Sequence, residues 1–172
     1  DLYAPQSCID EAGHRCVIAW VRMPIPQSPD DNEAADGRPW SGMMSLPRVV
    51  TLRGGEIYTS VHPNVRGYFA ENSCEESTGK YTRWTKDGRS RTVLTLREGQ
   101  SVELAGVMIE LNGGCVCTDR TKRIPNGITE GVNIHTKCRT PRVGEVCELE
   151  VYEEKNLIEI FVNDGQYVIS NV

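Results

Sequence analysis

Two thiols stand one residue apart in Cys115-Val116-Cys117, a spacing that puts both on one face of an extended strand. A metal centre there would need further ligands, and Cys138, Cys147 and His135 are the nearest in sequence. The pattern is CxC rather than CxxC, and free cysteines are among the most buried residue types. It therefore predicts two small buried side chains on the inner face of a sheet. His14, His62 and His135 lie apart, near turns or in a strand, and none has a serine or cysteine signature beside it. The 24 acidic residues fall in loops such as DDNEAAD and ENSCEES, or on strand faces expected to meet water. Spacing alone picks out no acid–base pair among them. No metal and no cofactor is predicted.

Trp20, Trp40 and Trp84 offer a second kind of chemistry. A sugar ring has an apolar side that packs on an aromatic face, while carboxylates or amides take its hydroxyls. A β core also holds tryptophans, and packing is the commoner use of each. Residue chemistry alone thus reaches a soluble all-β protein with carbohydrate as its one suggested ligand class.

The elements that must position these residues are short strands. Strand-like runs occur at 15–20, 47–52, 55–61, 91–96, 101–111, 115–118, 131–136, 146–152, 157–162 and 166–170, separated by turn residues. Helical periodicity is nearly absent. Cys147, Leu149 and Val151 alternate with Glu148 and Glu150. Ile158, Ile160 and Val162 alternate with Glu159 and Phe161. Such faces are buried in pairs in a two-sheet sandwich. Ala105-Gly106 in the long run 101–111 predicts a bulge or a bend between sheets. Asn163-Asp164-Gly165 predicts the turn of a closing hairpin.

The stretch 24–40, rich in Pro and Asp, reads as an exposed loop, and 62–80 as a connector with a short helical piece. The chain therefore divides near residue 66, with no internal repeat. A formal net charge of −5 over 172 residues argues against a nucleic-acid or anionic-membrane partner. No apolar run suggests a transmembrane helix. The opening residues carry no basic n-region and no apolar stretch, so no secretory signal is expected here. Seven cysteines, an odd number, fit a reducing cytoplasm better than a paired framework.

Four segments resemble glycoside hydrolase family 32, the β-fructosidases. DLYAPQS is similar to the family's D-F-Y-A-P-Q segment, and GHRCVIAWVRM to its G-R-R-x-x-x-G-W-M strand. WSGMMSLPRVVTLRGGEIYTSVHP is similar to its W-x-G-x-x-x-L-P-R-x-L-x-L-x-x-G-x-L-x-x-x-P segment. IEIFVNDGQYVIS is similar to the hairpin near the end of its accessory domain. The blocks occur in the family's order and bracket nearly the whole chain, while 66–145 carries little of the resemblance.

The resemblance implies an all-β chain: a C-terminal β-sandwich preceded by the last strands of a five-bladed β-propeller. Residues 1–65 would be the terminal propeller strands and crossing segment, and 66–172 the sandwich. The family hydrolyses β-fructosides with retention, a mechanism that uses two carboxylates about 5 Å apart. It carries them in W-M-N-D-P-N-G, R-D-P and E-C-P motifs, and none of the three occurs here. The resemblance therefore implies a C-terminal piece without catalytic carboxylates, meeting a fructoside through the upstream propeller. Its remaining substrate-binding residues would be Asp1, Gln6 and Trp20. One departure is Ala19, where the family has Gly before the tryptophan. Arg48 would tie a strand end to a neighbouring loop, and Trp40 would pack beneath the same turn. Unpaired strand edges in 1–61 predict self-association or a poorly ordered N-terminal third. The competing reading is a non-catalytic lectin-like or oligomer-forming sandwich, supported by an exposed platform of Tyr81, Trp84 and Tyr152 and weakened by a packed one.

Overall fold

Paired residues with positive φ shape much of the backbone. The computed structural model describes residues 2–22, 42–71, 73–123, 135–154 and 157–171. Two-residue turns at Gly54-Gly55, Asp87-Gly88, Ala105-Gly106 and Gly113-Gly114 have both members at positive φ, the geometry of type I′ hairpins. The run 101–111 is therefore not one bulged strand. It folds back on itself as β9 (Ser101–Leu104) and β10 (Val107–Asn112), because Ala105 at φ 46° and Gly106 at φ 74° complete a tight turn.

The described residues form three sheets. The first contains β1 (Leu2–Ile9), β2 (Arg15–Arg22), β4 (Arg48–Arg53) and β5 (Glu56–Val61) in that order, with β3 (Gly42–Met44) also paired to β2. Helix α1 (Pro63–Ala70) follows, capped by the His62 imidazole. The second sheet has the order β12 (Lys137–Arg142), β11 (Cys115–Asp119), β10, β9. The third has the order β15 (Tyr167–Asn171), β14 (Leu157–Val162), β13 (Val146–Glu154), β8 (Arg89–Arg97), β7 (Tyr81–Lys86), β6 (Cys74–Ser77). All its neighbours are antiparallel.

The second and third sheets make a β-sandwich. Leu94, Leu149, Val151, Ile158, Ile160 and Val162 from one face Val107, Ile109, Leu111 and Val116 from the other across a shared core. Each fully buried side chain of this kind contributes about 1.5–3 kcal/mol. The far face of the six-stranded sheet is covered too: Tyr152 and Phe161 pack with Phe69 of α1 and Val61 of β5. Strand β14 is consequently buried at all six positions.

Several expectations change on this architecture. Glu150 and Glu159 were placed on water-facing sides, but both are buried, because α1 and the first sheet lie over their face. Cys115 and Cys117 share a face as expected, but it is the outer one. Val116 between them is the residue that points into the core. Cys115 is buried and Cys117 half-buried, and no cysteine pairing is present among the described residues. Strands β1, β3, β6, β7 and β12 gave no sequence signal. CEES and YTRWTK lack apolar alternation, and Pro141 marks β12 as an edge strand. The run 131–136 and the loop 24–40 fall mainly or wholly outside the described residues.

Candidate functional site

A kink in β1 assembles the candidate face. Tyr3 pairs with Trp20 and Gln6 with Ile18, so the register slips by one residue between them. Ala4 takes φ 48° at this point. In a regular strand, residues three apart point to opposite sides; the bulge turns Tyr3 and Gln6 to the same side. Trp20 and Ile18 share that side by alternation. Tyr3 and Trp20 meet edge to face with centroids 6.1 Å apart. Tyr3 and Gln6 are exposed and Trp20 is half-buried. On β3, Gly42 lies directly against the indole: a Cβ there would fall 2.1 Å from Trp20 Nε1. The result is an open surface with two aromatic rings and one amide.

The structure thus brings Gln6 and Trp20 to one face. Asp1 lies outside the described residues, as does Trp40. Tyr3 is an addition that sequence reasoning missed, although it stands in the same YAPQ block. Ala19 causes no crowding. It is buried, and its N–H donates to Ser45 Oγ (3.1 Å) while its carbonyl accepts from Ser45 N–H (2.7 Å).

Ser45 begins a segment that the sandwich holds from the other side. The Leu46 N–H donates to Glu159 Oε2 at 2.5 Å. The Arg48 guanidinium donates to Glu159 Oε1 and, at 2.7 Å, to Ser170 Oγ. Ser170 Oγ also donates to Glu159 at 2.5 Å. Arg48 stacks over Phe161. It ties a strand end to its neighbour as expected, though the neighbour is a strand of the third sheet and not a loop. A second tether runs through the closing hairpin. Arg66 of α1 donates to Glu150 (2.6 Å) and Asp164 (2.7 Å), and Arg53 pairs with Asp164 at 2.8 Å. The Thr59 N–H donates to the Gly165 carbonyl at 2.8 Å. Burial pushes the Glu150 and Asp164 carboxyls up, but the arginines outweigh it and hold both below the usual carboxylate range.

Two of the three histidines, His14 and His62, converge in space. Asp10 accepts from His14 Nδ1 (2.8 Å), the His14 backbone N–H (2.7 Å) and His62 Nε2 (3.0 Å). These bonds, with His14 first, hold its carboxyl far below the usual range. Cys16 completes a group whose ligand atoms lie within 4.8 Å of one another, the spacing a metal ion would need. The protonation pattern fits a hydrogen-bonded hub better. His62 Nδ1 accepts the Asn64 N–H at 3.1 Å, so the ring proton sits on Nε2, the atom that would have to ligate. The hub fastens the β1–β2 turn to the start of α1.

A cavity of about 530 Å³ opens beside this hub, walled by Cys16, Leu46, His62, Phe69, Tyr152 and Leu157. It is apolar, and Glu159 and Glu153 on its wall are taken by protein donors. The Tyr81–Trp84–Tyr152 platform does not exist. Tyr81 packs against the sandwich core, Tyr152 is buried on the opposite side, and Arg91 covers the Trp84 ring.

An all-β chain with a separate five-stranded sheet docked on a two-sheet sandwich defines the class, and known proteins share its pattern. The model of the glycosyl hydrolases family 32 N-terminal domain matches residues 1–61. Sucrose-6-phosphate hydrolase of Vibrio alginolyticus is 27% identical over 179 residues, covering 99% of this chain and 34% of that protein. The structure of sucrose-6-phosphate hydrolase from Lactobacillus gasseri superposes with a TM-score of 0.69 at 20% identity, over 99% of this chain and 36% of that one. Fructan 1-exohydrolase IIa from Cichorium intybus gives 0.64 at 15% identity, over 99% and 41%; a variant of it is known in complex with 1-kestose. Residues 1–61 thus match glycoside hydrolase family 32, and nearly the whole chain is similar to sucrose-6-phosphate hydrolases. The chain spans about a third of the length of the curated relatives it matches.

Proposed function

We propose that this chain is the C-terminal part of a retaining β-fructosidase acting on sucrose, sucrose 6-phosphate or a related fructoside. Residues 1–65 are its last propeller strands and crossing segment, and 66–172 its structural sandwich. The observation that carries this is the Tyr3–Trp20–Gln6 face. It lies on the sheet matched by the family's N-terminal domain, and it offers aromatic rings and an amide to a sugar. Asp1 stands next to this block in sequence and is assigned to the same site. The catalytic carboxylates belong to motifs this sequence does not contain, so the 172 residues alone are inactive. The low use of paired cysteines favours the cytoplasm, where a phosphorylated sugar would be met; no described helix is long and apolar enough to cross a membrane.

Fructose release from sucrose, sucrose 6-phosphate and inulin tests the reading. The natural protein containing this chain should release fructose from at least one, and the 172 residues alone from none. Turnover by the 172 residues would place the catalytic carboxylates among them and overturn the assignment.

A further inference from the structure

We infer that Glu159, buried on the face of β14 that meets the first sheet, is a positioning residue for Trp20, acting through the segment Ser45-Leu46-Pro47-Arg48. The inference rests on the reading of the Trp20 face as fructoside-binding. The links are direct. Both Glu159 oxygens are committed to this segment: one holds the Leu46 amide and the other the Arg48 guanidinium. The adjoining Ser45 bonds Ala19 through two contacts: its N–H donates to the Ala19 carbonyl and its hydroxyl accepts from the Ala19 N–H. Ala19 is the residue before Trp20, and Met44, before Ser45, is the cross-strand partner of Trp20 on β3. Every member between the two ends is pinned.

Simple adhesion between sheets would not need this arrangement. The Arg66–Glu150–Asp164 cluster and the Thr59–Gly165 bond already fasten the sandwich to α1 and β5. Glu159 instead grips the one segment that runs directly into the partner of the indole. It is wholly buried, so its geometry is fixed by the surrounding core and not by solvent. A carboxylate held this way sets where Leu46 sits, hence where Ser45 and Met44 sit, hence the tilt of Trp20 against Gly42 and Tyr3. An aromatic surface contributes to sugar binding only at the correct tilt, so the sandwich would tune substrate affinity without touching substrate.

Fluorine NMR on the 172-residue protein labelled with 5-fluorotryptophan reads the relay directly. The Trp20 line is assigned by its loss in Trp20→Phe. Glu159→Gln should shift or broaden that line. Ser45→Ala should do the same, and it cuts the relay without leaving Arg48 buried and unpaired, so it serves if Glu159→Gln does not fold. Glu98→Gln is the control: it removes one of the two oxygens that accept from the Gly113 and Gly114 amides elsewhere in the sandwich and should leave the line unchanged. In the natural protein, Glu159→Gln should raise KM for the hydrolysed fructoside about tenfold with a smaller change in kcat, and this effect should vanish in a Trp20→Ala background.

An unmoved Trp20 line in both relay variants, or an equal shift from Glu98→Gln, overturns the relay. A moved line with KM effects that simply add overturns the role in binding. A moved line in the relay variants, with a natural wild-type protein that hydrolyses no fructoside, sinks the functional reading instead, and the sugar role with it.

Discussion

Arg48 and Glu159 meet as a buried ion pair across 111 residues of sequence, one from the first sheet and one from β14, next to the edge of the third. Ser170 Oγ bonds both, and the Leu46 amide fills the remaining carboxylate oxygen. Such a pair costs most when only half of it is removed, because the survivor stays buried and uncompensated. Glu159→Leu and Arg48→Met should each destabilise by about 3–5 kcal/mol, and the double substitution by clearly less. Urea unfolding of the three variants checks this; equal or additive losses would contradict it.

Gly165 closes the last hairpin at φ 88° and touches β5. A Cβ there would lie 2.4 Å from the Thr59 carbonyl carbon. Gly165→Ala therefore carries about 1–3 kcal/mol of backbone strain before the clash is counted. The expected outcome is faster amide exchange at Thr59, whose N–H donates to Gly165, with the sandwich core amides still protected. Loss of protection throughout would mean the hairpin turn is integral to the whole fold.

Glu150 and Asp164 both have folded carboxyls below their unfolded values. A depressed acid lends stability that is complete above the unfolded value, about pH 4, and is lost as pH falls through the folded one. Acidification below about pH 4 should weaken the attachment of α1 and the closing hairpin. Glu150→Gln should lower stability at neutral pH by about 1.5–3 kcal/mol and flatten the acid slope. A denaturation series across pH reads both; an unchanged slope in the variant would show that other carboxylates govern it.

The sandwich was the legible part of this fold. Ile158, Ile160 and Val162 alternate cleanly, and their face is the one that meets the second sheet. The same alternation misled for Glu159, since charge at every second position ordinarily means water. Phe161 on the same face was the available warning: an aromatic beside the carboxylate implies cover on that side too. The candidate site was legible only as separate residues. Gln6 and Trp20 stand fourteen positions apart, and only the slip at Ala4 shows that Tyr3 joins them. The meeting of His14 and His62 at Asp10 depends on where β5 ends relative to the β1–β2 turn. No spacing rule encodes that.

Substitutions on the Trp20 face should separate binding from folding. Gln6 is exposed, so Gln6→Ala should leave the melting temperature unchanged. Loss of one hydrogen bond to a sugar hydroxyl would raise KM roughly two- to tenfold, the equivalent of about 0.5–1.5 kcal/mol. Steady-state kinetics of the natural protein on its preferred fructoside decide the matter. A KM equal to wild type removes Gln6 from the site.

Strand β1 is exposed at all eight positions and, among the described residues, pairs only with β2. Tyr3 is 67% exposed, and Leu2 and Ile9 are also open to solvent. An uncovered edge of this kind recruits other strands. The 172-residue protein should therefore self-associate in a concentration-dependent way, and less so when Ile9→Lys is introduced. Light scattering showing a monomer at all concentrations would refute this.

Strand β14 is buried on both faces, yet it is the fourteenth of fifteen described strands in chain order. On the ribosome, the first sheet and α1 emerge long before the strand that completes both cores. Arg48 leaves the exit tunnel with its partner not yet made, and Tyr152 and Phe69 wait for Phe161. Early segments of this chain must persist in an unfinished state during synthesis, and closure comes as one late event. The order of translation, which often lets a first half fold before a second, here works against it.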